Sequence, residues 1–92
     1  MEIKVKLFGA MRQYHNKNEI TIAVKKGSLV KEVRKKIGEK LEKNKSRVFD
    51  KKLLKISAIA DEKKILYDYQ PINQKKKLSI LPPVSGGWSW KI

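Results

Sequence analysis

The chain has no cysteine, which excludes disulfides, thiolate metal sites and a cysteine nucleophile. It has a single histidine, His15, in a predicted exposed turn, and a lone histidine without cysteines cannot build a metal site of ordinary composition. Acidic residues are few, nine against 23 basic ones. The adjacent carboxylates Asp61 and Glu62 fall in a predicted turn, which they solvate; an acid/base pair would need them facing each other. Ser85 has no neighbouring base and reads as a small spacer. No catalytic residue, metal site or cofactor is therefore expected. No apolar run approaches the ~20 residues of a membrane span, and no signal-peptide pattern is present, so the expectation is a cytoplasmic protein away from membranes. A chain of 92 residues makes one domain. At that size it buries only somewhat over ~60% of its unfolded surface, which leaves little room for an enclosed active site.

The basic excess gives a net charge of +14 and an isoelectric point near 10.1. The lysines are dispersed, at 25–26, 35–36, 51–52, 63–64 and 75–77, mostly on predicted turns and a helix's solvent face, and such runs usually form a solvated surface. Base reading favours arginine interleaved with exposed aromatics. Arginine occurs only at 12, 34 and 47, and Tyr14, Tyr67 and Tyr69 form no regular stacking motif. Nucleic acid is thus not an expected partner, whereas acidic protein surfaces are.

Hydrophobic periodicity places the elements. Residues 2–8 alternate through Ile3, Val5 and Leu7, and residues 19–24 through Ile20, Ile22 and Val24, which predicts a hairpin around a polar Arg12–Asn18 turn. Ser28 is the expected N-cap of a helix over 28–42, with Val30, Val33, Ile37 and Leu41 as its apolar stripe and Gly38 allowing close packing on the sheet. Leu54, Ile56 and Ala58 suggest a third strand, although Phe49–Leu54 also fits a helical turn. Ile65–Tyr67 predicts an edge segment, and Leu78–Leu81 a final strand buried on both faces. The order reads ββαβ(β)β, an α+β fold.

The final strand runs into Leu81-Pro82-Pro83-Val84-Ser85-Gly86-Gly87. Two prolines end ladder pairing and stiffen the exit, and two glycines let a narrow groove in a partner approach the backbone closely. Val84–Gly87 would reach roughly 13 Å beyond the prolines when extended, at about 3.3 Å per residue. Trp88-Ser89-Trp90-Lys91-Ile92 follow, so chemistry at a Gly87 carboxylate requires their removal.

This tail resembles the Pro-Pro-Val-Ser/Thr-Gly-Gly end of the molybdopterin-synthase small subunit, a ubiquitin-like sulfur carrier related to the thiamin-pathway carrier. Ile3–Arg12 resembles that family's first strand and the Phe-Ala-x-x-Arg segment after it, and the similarity runs over residues 1–87. The resemblance implies a ubiquitin-like β-grasp domain over 1–82, a mixed sheet with one main helix packed on one face, followed by a flexible tail over 83–92. It also implies that a ubiquitin-activating-enzyme-like adenylyltransferase adenylates Gly87, which then becomes a thiocarboxylate whose sulfur goes to the molybdopterin-synthase large subunit. Leu81, Pro82, Pro83, Val84, Ser85 and Gly86 would seat the tail on these partners, and Phe8 would mark the docking face, unless it is a core residue. The extension resembles that of carrier precursors trimmed by a zinc peptidase, here between Gly87 and Trp88. Two departures stand out: relatives are usually acidic, and Asp61–Lys64 and Asn73–Lys77 replace glycine-containing turns. A modifier conjugated to lysines and a basic β-grasp binding module without carrier chemistry remain the alternatives.

Overall fold

The computed structural model describes residues 1–43, 49–74 and 77–83. The expected hairpin is present: β1 (Glu2–Leu7) pairs antiparallel with β2 (Glu19–Ala23), Ile3 opposite Ile22 and Val5 opposite Ile20. The connection is more than a polar turn. Gly9–Tyr14 form a 3-10 helix that buries Met11 and Tyr14 in the core, and the Tyr14 and Phe49 rings pack edge to face with centroids 4.9 Å apart. The apolar pair at 11 and 14 matches the 3-10 repeat, where side chains three apart eclipse. His15 is half-buried, its Nδ1 accepting from the Lys17 backbone N–H at 3.1 Å.

The main helix α1 spans Val30–Glu42, two residues shorter than expected, because Ser28–Leu29 form a small strand, β3. β3 pairs antiparallel with β6 (Pro71–Ile72). Ser28 is therefore not the N-cap. Leu29 occupies that position without a side-chain bond, and the orphan N–H groups of Val30 and Lys31 donate to the carbonyls of Gln70 and Asp68 at 2.8 and 3.0 Å. The stripe is as expected, with Val30, Val33, Ile37 and Leu41 fully buried. Gly38 packs closely, but not on the sheet: a Cβ there would stand 2.7 Å from Leu54 Cδ2 and 3.8 Å from the Phe49 ring.

Leu54 and Ile56 belong to a second helix, α2 (Lys51–Ile56), not to a strand. Asp50 caps it, accepting from the N–H groups of Lys52 and Leu53 at 2.9 and 3.3 Å, and this local bonding decides the helical alternative. Only Ala58 of the expected trio is in a strand, β4 (Ala58–Ala60), which pairs with the edge strand β5 (Ile65–Leu66).

The last strand, β7 (Lys77–Leu81), runs parallel to β1 and antiparallel to β4, giving a five-stranded sheet in the order β2-β1-β7-β4-β5. Its burial alternates. Leu78 and Ile80 are buried against the helix side, while Ser79 and Leu81 are half-buried on the other, because α1 covers one face only. Ile3, Val5, Leu7, Ile59, Leu78 and Ile80 thus supply the sheet's half of one core.

Arg34, on α1, joins three elements. Its Nη1 donates to the carbonyls of Leu54 and Ser57 at 2.8 and 2.6 Å, and its Nε and Nη2 donate to Asp68 Oδ1 at 3.2 and 3.0 Å. Only a planar fork with several fixed donors satisfies that set.

Candidate functional site

The tail leaves the fold from β7, between β1 and β4. Leu81 is half-buried, Pro82 is buried and Pro83 half-buried, so the root of the tail lies on the domain. Gly9 makes the seat. Its φ of +53° is a conformation that side chains rarely adopt, and a Cβ there would come within 3.2 Å of Pro82 Cγ. Val84, Ser85, Gly86, Gly87 and Trp88, expected to carry the chemistry and processing, lie outside the described residues.

Strand register shows what surrounds this root. Leu7 pairs with Ile80 and Ile59 with both Ile80 and Leu66, all on the core side. The next residue along each strand direction faces outward: Leu81 opposite Ala58, flanked by Phe8 just beyond β1 and Tyr67 just beyond β5. Phe8, Leu81, Ala58 and Tyr67 therefore form one outward row across the tail-exit end of the sheet, spanning roughly 14 Å at ~4.8 Å per strand. Lys6, Ser79, Ala60 and Ile65 make the row behind it, followed by Lys4 opposite Lys77. The result is a small, apolar, shallow surface bordered by lysines.

Phe8 is 37% exposed, with Lys6 Nζ 5.5 Å from its ring centroid, so it is not a core residue. Ala58, Tyr67 and Gly9 were not anticipated beside it. The available signal was the period-two alternation of very short strands, which cannot be phased until their partners are known.

At the opposite end of β1 and β7, an open depression of about 590 Å³ is lined by Glu2, Lys4, Asp61, Glu62, Lys63, Gln74 and Lys77. Asp61 is a turn former, its Oδ1 accepting from the N–H groups of Lys63 and Lys64 at 2.8 and 2.9 Å. No group of three or more metal-ligating side chains occurs among the described residues. Within the same residues no helix is long and apolar enough to cross a membrane.

A profile of the ThiS family matches residues 5–87, from the first strand through the glycine pair. The chain belongs to the ThiS family. Its fold is the ubiquitin-like β-grasp, a mixed sheet with one main helix on one face. SAMP1 from Haloferax volcanii superposes with a TM-score of 0.73 at 19% identity, covering 95% of this chain and 100% of that one. A second structure of that small archaeal modifier protein gives 0.71 at 16% identity, over 90% and 98% of the two chains. A Pyrococcus furiosus protein described as molybdopterin converting factor, subunit 1, gives 0.67 at 25% identity, again over 90% and 98%. No curated protein sequence matches the chain. This ThiS-family chain thus shares its fold with a small archaeal modifier and with a molybdopterin converting factor subunit.

Proposed function

We propose that the protein is a sulfur-carrier precursor that delivers sulfur as a thiocarboxylate on Gly87, for molybdopterin synthesis, after residues 88–92 are removed. The observation that carries this reading is the seat of the tail: Pro82 buried over Gly9, at the end of a central strand and in the middle of a shallow outward surface. A reactive terminus must be presented from a rigid root beside a surface that a partner can cover, and this arrangement supplies both.

In this account the carrier is not itself an enzyme. A ubiquitin-activating-enzyme-like adenylyltransferase covers the row from Phe8 to Tyr67, and Pro83–Gly86 extend into its active site. There the Gly87 carboxylate attacks the α-phosphorus of ATP, releasing pyrophosphate, and sulfide from a donor then displaces AMP from the acyl carbon. The large synthase subunit takes the sulfur from the resulting thiocarboxylate. Glycine at 86 and 87 suits passage through a narrow channel, and the cytoplasm is where such partners would meet it. A zinc peptidase would cut between Gly87 and Trp88.

The likeness to a small modifier favours one second reading, conjugation of Gly87 to lysines, which shares the adenylation step but ends in an isopeptide. Intact mass of the protein isolated from its source tests the trimming. A chain ending at Gly87 is expected; a population that retains Trp88–Ile92 throughout would contradict the precursor reading.

A further inference from the structure

Among the described residues four large apolar side chains are well exposed: Phe8, and beyond it Ile56 at 59%, Tyr67 at 60% and Tyr69 at 74%. Single exposed hydrophobics need no explanation, but the segments that carry the last three are tied to one anchor. Arg34 Nη1 holds the carbonyls of Leu54 and Ser57, on either side of Ile56, and its Nε and Nη2 hold Asp68, between the tyrosines. The tyrosine rings stack with centroids 5.9 Å apart and 6° between planes. Their turn is locked from both ends, Gln70 N–H donating to the Tyr67 carbonyl at 3.0 Å and Tyr67 N–H to Gln70 Oε1 at 2.6 Å. The same turn caps α1 through the Asp68 and Gln70 carbonyls. The aromatic pair is therefore mounted rigidly, which removes much of the ordering cost of using it as a contact.

Charge and position identify the occupant. Lys52 and Lys55 are exposed with Ile56 on one face of α2, and Lys31, whose backbone N–H meets the Asp68 carbonyl, is exposed at the tyrosine turn. None of the three holds an ion pair among the described residues, while the carboxylate of Asp68 is engaged by Arg34. A basic rim around Ile and Tyr asks for a protein with an acidic border and an apolar centre. Tyr67 also ends the outward row at the tail exit, so whatever covers that row meets the stacked Tyr69 next.

Resting on the carrier reading above, we infer that Ile56, Tyr67 and Tyr69, rimmed by Lys31, Lys52 and Lys55, form a second contact surface. An acidic surface of the activating enzyme closes over it, around the β5 edge from the tail.

The test is calorimetric binding of the full chain to the purified adenylyltransferase of the same organism, without ATP. Ile56→Ser with Tyr69→Ser changes only exposed side chains and is expected to weaken binding about tenfold or more, the scale of a lost hot spot. Lys31→Glu, Lys52→Glu and Lys55→Glu together should weaken it further at low salt and flatten its salt dependence. Unchanged melting temperatures confirm that the variants fold. Affinities equal to wild type, or no binding of the wild type, would overturn the proposal. So would patch-dependent binding to a single-stranded polyuridine oligonucleotide with none to the enzyme. The carrier reading is read separately, from sulfur gained at the terminus of the 1–87 chain. Sulfur transfer with all affinities equal removes the second surface and leaves the carrier; patch-dependent binding with no transfer removes the carrier and leaves the surface.

Discussion

Gly9 is the residue that most locally fixes the root of the tail, because it combines a positive φ with close approach of Pro82. Gly9→Val would place a β-branched side chain in a left-handed conformation, at about 1–2 kcal/mol for the backbone alone, and push on the proline at 3.2 Å. The expected outcome is a melting temperature lower by several degrees, since about 1 kcal/mol moves a domain of this size by roughly 4–8 °C. Slower sulfur acceptance by the 1–87 form should accompany it. A variant with wild-type melting and wild-type transfer would show that the seat is irrelevant. Little of this was legible beforehand: a glycine after a strand signals a turn, but that Pro82 returns to cover it depends on β7 pairing with β1 from the far end of the chain. Arg34 was equally hidden. Its rarity among so many lysines was visible, yet its three acceptors come from segments 20 to 34 residues away.

At the scale of elements, strong periodicity was decisive and weak periodicity was not. The hairpin strands and the stripe of α1 repeat long enough to be phased from sequence, and all four stripe residues are buried. Val33→Asp would bury an unpaired charge and is expected to cost more than ~4 kcal/mol, the far end of single-substitution effects. Circular dichroism on heating checks it, and wild-type stability in that variant would mean the helix faces the sheet differently. Short elements obeyed local chemistry instead. Leu54-Lys55-Ile56 alternates like a strand, but the Asp50 cap and the Ser57 hydroxyl, which donates to the Leu53 carbonyl at 2.6 Å, close the segment into a helix. Ile56 is left outside as a result, and that exposure is what the second contact surface uses. Ser28 looked like a cap by residue type, and lost the role because the backbone of 68–70 reaches the helix end first.

For the whole molecule, the fold class and the family signature were legible because the first strand, the main helix and the tail motif are all local patterns. The function of the +14 surface was not, since charge counts say nothing about placement. Every described lysine is exposed, and Lys4, Lys6 and Lys77 border the small apolar surface at the tail exit. The central claim, that this ThiS-family chain is a carrier whose reactive group is Gly87, rests on a single bond: in the full chain the Gly87 carbonyl is an amide to Trp88, and no free carboxylate stands where the activating enzyme needs one. The most direct measurement is intact-mass spectrometry after incubation with the organism's adenylyltransferase, ATP and a sulfur donor, comparing the full chain with the 1–87 form. Only the shorter chain is expected to exchange one terminal oxygen for sulfur. Equal modification of the uncleaved full chain, or none of either chain by an enzyme proven active on its own substrate, would contradict it.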